Sequence, residues 1–211
     1  MNEPSNEHRS PEQTPDDETT TIKELFLLAA LWLPLGFFLW FYFGAFLIRP
    51  TVLLVDWVTQ ATFPELVSGL WQVQYKIQVD TWIPNERTGD TAKTVVNPLI
   101  YAYGMPLFFG LVMATPPLSV ARRVLQLGVG YVLLTLVQCW GVFWEIIKDL
   151  SLRMGPLAAD MVADAGLPPT LVALCYQLGY LILPAVTPIA LWILLNRDFL
   201  SRIARPMQAR G

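Results

Sequence analysis

The chain has 211 residues, 54% of them hydrophobic and only 15% charged, with a net charge of −3. A soluble domain of this length carries about a quarter charged residues. The few charges lie at the start, between long apolar runs and at the end, so an ordinary soluble domain is excluded and a polytopic membrane protein is expected. No basic patch interleaves with aromatics, which removes nucleic acid as a partner. The two cysteines, Cys139 and Cys175, sit inside apolar runs with no CxxC and no Cys/His spacing for a metal. They read as small buried apolar residues, with a disulfide between spans as the alternative.

Residues 1–22 are acidic and proline-containing, have nothing to bury, and are expected to form a disordered cytoplasmic tail. The acidic start does not match a secretory signal, and neither end carries a lipidation motif. The first transmembrane helix is expected over 23–49, uncharged from Leu25 to Ile48 and long enough for the ~20 residues a bilayer requires. Pro34 should bend it. Gly36 and Gly44, two turns apart, offer a close-packing side.

Residues 50–96 form the longest connection. In its first part Asp56, Thr59 and Gln60 share one helix side and Val52, Val55 and Val58 the other. That pattern fits a helix lying in the membrane interface or a bent continuation of the first span. Trp71, Val73, Tyr75, Ile77, Val79, Thr81 and Ile83 then alternate with polar residues, the period of a half-buried strand. The turn chemistry of Pro84–Asp90 allows Thr91–Val96 to return as a second strand. A lone hairpin is marginal, so it needs a surface to pack on.

Residues 97–196 hold three more apolar runs: Asn97–Thr115 with Pro106 at its middle, Val124–Trp144, and Leu171–Leu195 with Pro184 and Pro188. Between the last two, 145–170 reads as a short outer loop carrying a short helix with Asp160 and Asp164 on one face. Residues 197–211 form a basic tail. With four spans, Arg122, Arg123, Arg197, Arg202, Arg205 and Arg210 fall on one side, which the positive-inside rule makes cytoplasmic. Both termini are then inside. The expected class is a mainly α membrane protein: about four transmembrane helices with a small extracytoplasmic segment containing a β-hairpin.

The sequence shows no GxSxG, HExxH, P-loop or GxGxxG. Its one histidine is His8, in the tail, so neither thiol has a base for cysteine chemistry. No cofactor or metal is expected. The topology does place Asn97, Tyr101, Gln138, Glu145 and Gln177 in the same outer half of the bundle, with Gln138, Gly141 and Glu145 on one helix face. Polar side chains at membrane depth face the bundle interior or a cavity. They form either an outward-facing polar groove or ordinary interhelical hydrogen bonds, with Glu145 paired to Lys148 or Arg153.

Leu31–Trp40 (LWLPLGFFLW), Val96–Leu107 (VNPLIYAYGMPL) and Gln138–Gly141 (QCWG) resemble the exosortase H-associated membrane proteins. The resemblance covers about residues 24–197. It implies a bacterial inner-membrane protein that assists an exosortase, a sorting enzyme acting on proteins with a C-terminal tripartite tail. The implied partners are the exosortase, those tailed substrates and the lipid bilayer. The chain lacks the membrane histidine such an enzyme needs, so it resembles the accessory and not the catalyst. A small solute transporter using the outward groove is the alternative reading.

Overall fold

A computed structural model of the chain describes residues 15–84, 89–116 and 118–201, with side chains from residue 23 onward. The tail residues 1–14, most of the turn after Pro84, and Arg202, Arg205 and Arg210 lie outside the described residues. Helix α1 spans Pro15–Tyr42 and runs unbroken through Pro34. It takes in residues 15–22, which the composition assigned to the disordered tail. A single-turn helix α2 (Gly44–Leu47) and helix α3 (Arg49–Thr62) follow. Strands β1 (Val67–Val73), β2 (Lys76–Pro84) and β3 (Thr91–Val96) form one antiparallel sheet in the order β1-β2-β3. A 3₁₀ turn (Pro98–Tyr101) leads into α4 (Gly104–Ala114), then α5 (Val120–Arg153) and α6 (Pro156–Asp164). The last element is α7 (Pro169–Gln177), a π-turn (Leu178–Ile182) and α8 (Leu183–Leu195).

Among the described residues three helices are long and apolar enough to cross a membrane: Lys23–Tyr42, Val120–Arg153 and Pro169–Leu195. Where the sequence suggests a full second span, α4 has 11 residues, about 16 Å of helix. The segment is split because Pro98 starts a 3₁₀ turn capped by the Asn97 side chain, and the α-helix begins only at Gly104, two residues ahead of Pro106. A proline is tolerated in that first turn, where its missing N–H has no intrahelical partner anyway. The π-turn sits just before Pro184, where widening the helix relieves the clash of the ring with the carbonyl four residues back.

Glycines set how closely these elements approach. A Cβ at Gly36 would meet the Phe109 ring and Pro106 O, one at Gly110 would meet Leu33, and one at Gly44 would touch Leu99. The 97–114 segment therefore runs antiparallel to α1, and the two glycines singled out in the first span face it. On α5, Gly130 receives the Phe108 ring and Gly141 the Tyr101 ring, so the same segment is antiparallel to α5 as well. Gly104 lies against Pro184 O and Pro188 of α8. Gly128 meets nothing.

Helix α5 has 34 residues, about 51 Å, against ~30 Å of hydrocarbon. Its surplus is a mast on which the sheet and α6 pack. Val67, Leu70, Ile77, Val79 and Val96 of the sheet share a core with Val142, Ile146, Ile147 and Leu150 of α5 and Ala158 and Val162 of α6. A second core of Phe108, Val112, Leu134, Leu191 and Trp192 holds the opposite half. Helix α6 is bracketed by Gly155 (φ 92°) and Gly166 (φ 81°) and leaves Asp160 and Asp164 exposed, as its spacing suggests.

The expected hairpin is a three-stranded sheet. What reads as one strand from Trp71 to Ile83 folds back at Gln74–Tyr75, where Gln74 has φ 56°. A two-residue turn pairs positions of opposite parity, Val73 with Lys76 and Trp71 with Gln78. Ile77, Val79, Thr81 and Ile83 are therefore buried, while Trp71 and Val73 of the same alternation land on the outer face. Leu70 takes the inner place opposite Val79.

If these contacts set the packing, Gly141→Val and Gly104→Val should each destabilise the protein by about 1–3 kcal/mol, the usual cost of overpacking. Gly128→Val should leave the unfolding temperature in detergent unchanged.

Candidate functional site: a polar cluster beneath the sheet

The close approach of Tyr101 to Gly141 carries its hydroxyl onto the next turn of α5. There it donates a hydrogen bond of 2.7 Å to Glu145 Oε2. Its ring meets Tyr180 edge-on, and Tyr180 stacks on Tyr176. Lys148 Nζ lies 4.2 Å above the Tyr176 ring, 3.8 Å from Glu145 and 3.4 Å from Asp149. Such a cation over an aromatic face gains about 0.5–2 kcal/mol. Arg153 approaches Asp149 at 3.2 Å. Asp149 Oδ1 faces both cations but is aligned as a hydrogen-bond acceptor to neither, whereas Oδ2 accepts from Thr94 of β3 at 2.9 Å. Two acids and two bases thus sit together, and Thr94 fastens the sheet to α5 through them.

About two turns below Glu145, Gln138 is fully buried. It accepts from Thr51 Oγ1 of α3 at 2.8 Å and donates to Pro98 O at 3.0 Å. Three chain segments meet in that one amide. The Asn97 side chain turns inward and caps the 3₁₀ turn by accepting from Leu99 N at 3.2 Å. Gln177 is exposed on α7, and its side chain has no hydrogen-bond partner among the described residues. Asn97, Tyr101, Gln138 and Glu145 are therefore brought together and Gln177 is not. Gln138 and Tyr101 face protein, not open space, because each is spent on an internal bond.

Several members are not among the residues picked out from the sequence. Tyr176 and Tyr180, four apart on one helix, give a visible signal. Thr51 and Thr94 give none, since their partners are distant in the chain. At the other end of the bundle Gln126 and Asn196 exchange hydrogen bonds of 3.0 and 3.3 Å, Trp192 Nε1 donates to Thr115 Oγ1 at 3.0 Å, and Arg123 donates to Thr115 O at 3.0 Å. These bonds join α5 and α8 to the end of α4. Cys139 and Cys175 are free thiols. No group of His, Cys, Asp and Glu suited to a metal occurs among the described residues.

Gln138→Leu would strip partners from the Thr51 hydroxyl and Pro98 O, at about 1–3 kcal/mol for a buried unpaired group. Tyr101→Phe and Glu145→Gln should couple non-additively, by roughly 0.5–3 kcal/mol. A double-mutant cycle on unfolding in detergent measures both effects, and strict additivity would refute the direct bond.

The chain matches no curated protein and no solved structure. One family profile, described as exosortase H-associated membrane protein, matches residues 19–199, nearly the whole of the chain. Together with its three bilayer-length helices this shows that the protein belongs to the exosortase H-associated membrane protein family.

Proposed function

We propose that the protein is a non-catalytic accessory subunit of the bacterial inner membrane that assists an exosortase or its C-terminally tailed substrates. The family match is the observation that carries this reading. Both termini lie in the cytoplasm on this account, because Arg122, Arg123 and Arg197 gather at the end of the bundle opposite the sheet. The sheet then projects outward on α5. Its outer face presents Trp71 (61% exposed), Trp82 (62%) and Val95 (56%) beside Lys76 and the Lys93–Asp80 pair at 3.5 Å. Exposed aromatics ringed by charge are the composition of a contact surface. The Thr94–Asp149 hydrogen bond ties that surface to α5. A solute pathway is the weaker reading, since the buried polar groups satisfy one another instead of lining a passage.

The test is co-purification of the tagged protein with an exosortase in mild detergent. The wild type should retain the enzyme. The Trp71→Ala/Trp82→Ala variant should lose it at least fivefold at equal protein level. A wild-type protein that never co-purifies with the enzyme would overturn the proposal.

A further inference from the structure

The Tyr42 end of α1 fixes a height. Its apolar span Lys23–Tyr42 has 20 residues, about 30 Å of helix, which matches the hydrocarbon layer. Phe41, Tyr42, Phe43 and Phe46 are exposed around that end, as in the belt that aromatics form where acyl chains meet headgroups. Helical hydrogen bonds continue past it, from Leu47 N to Phe43 O and from Ile48 N to Gly44 O. Ala45 is three residues beyond Tyr42, about 4.5 Å of helix, and the headgroup layer on each side of a bilayer is about 5–7 Å deep. Ala45 O therefore lies at headgroup depth.

Two contacts bring the tip of the sheet to the same height. Gln72 Nε2 donates to Ala45 O at 2.6 Å and to Gln74 O at 2.8 Å, so one amide fastens the β1–β2 turn to the end of the span. Ile77, just after the turn, pairs with Val96, from which the chain enters the bundle with Leu99 against Gly44. The opposite end of the sheet, where Pro84 pairs with Thr91, is seven residues along β2, about 23 Å of strand.

The turn residues Val73–Lys76 are all exposed. Val73 (52%) and Tyr75 (45%) present an aliphatic and an aromatic side chain, and Lys76 Nζ lies 5.9 Å over the Tyr75 ring. A tyrosine with a polar tip, an aliphatic neighbour and a lysine long enough to return to water suit the boundary between lipid and water.

We propose that the β1–β2 turn is inserted in the headgroup layer at the Tyr42 end of α1, with Val73 and Tyr75 among the lipid and Lys76 at its aqueous edge. The partner is the bilayer surface itself, continuous with the lipid-facing side of α1. The sheet then has two supports, α5 along its inner face and the bilayer at its tip, and Trp82 near the far end stands clear of the lipid. The proposal rests on these heights and is independent of the accessory role.

Depth-dependent quenching in the full chain tests this. In a background where Cys139 and Cys175 are replaced by alanine, Tyr75→Cys is labelled with an environment-sensitive fluorophore. The protein is reconstituted alone in nanodiscs of phosphatidylcholine and phosphatidylglycerol. Lipids with a spin label near the carbonyl end of the acyl chain should quench the fluorophore about threefold more than lipids labelled near the methyl end. Val73→Cys, labelled in the same way, should report the same depth. Thr91→Cys, at the far end of the sheet, should be quenched by aqueous iodide and by neither lipid. Labels at 73 and 75 that iodide reaches as freely as the label at 91 would overturn the proposal. So would stronger quenching from the methyl end, or shielding from iodide without lipid quenching, which would mark a contact with a second copy of the chain.

Discussion

The architecture depends on how closely the backbone of residues 97–114 approaches its neighbours. Lipid offers no hydrophobic drive to hold helices together, so they associate through close packing and internal hydrogen bonds. Gly36, Gly44 and Gly110 let this segment lie against α1, Gly130 and Gly141 let its rings sink into α5, and Gly104 lets it touch α8. Helix α4 is in contact with all three bilayer-length helices. Its shortness is tolerable for that reason. The break between the 3₁₀ turn and α4 sits inside protein, where irregular backbone at membrane depth can be satisfied.

That approach also fixes the polar chemistry. With the Tyr101 ring against Gly141, its hydroxyl reaches Glu145, and Pro98 O falls within range of Gln138. From Glu145 the contacts continue to Lys148, Asp149 and Thr94 of β3. The sheet is thereby tied to the bundle by apolar packing on α5 and by the Thr94–Asp149 hydrogen bond. Interhelical hydrogen bonds in membranes are individually modest, about 0.6 kcal/mol on average. The arrangement draws its rigidity from several of them converging on the same three turns of α5.

Much of this was legible in the sequence because it rests on local signals. Uncharged runs marked the spans, Gly155 and Gly166 bracketed α6, and the i, i+3, i+7 spacing of Gln138, Gly141 and Glu145 named the face of α5 that receives Tyr101. Two features were hidden. The alternation from Trp71 to Ile83 continues across a tight turn that reverses its faces, and only strand pairing reveals the reversal. The second apolar run has the composition of a span, while the place where its helix begins depends on a cap by Asn97 and on contacts with α8. Of the five polar residues, Gln177 stands apart because it lies about 100° round the helix from Tyr176, whose ring meets Lys148, and is exposed.

Family membership gives the protein its context, and the structure gives it a shape suited to that context: a bundle with arginines at one end and an aromatic-faced sheet raised on a helical mast at the other. The account stands on these two ends lying on opposite sides of the bilayer. Single cysteines at Lys76 and Arg123, in a background where Cys139 and Cys175 are replaced by alanine, can be probed in intact cells with a membrane-impermeant maleimide. The account predicts labelling at 76 from outside and at 123 only after the membrane is opened. Labelling of both positions from the same side would contradict it.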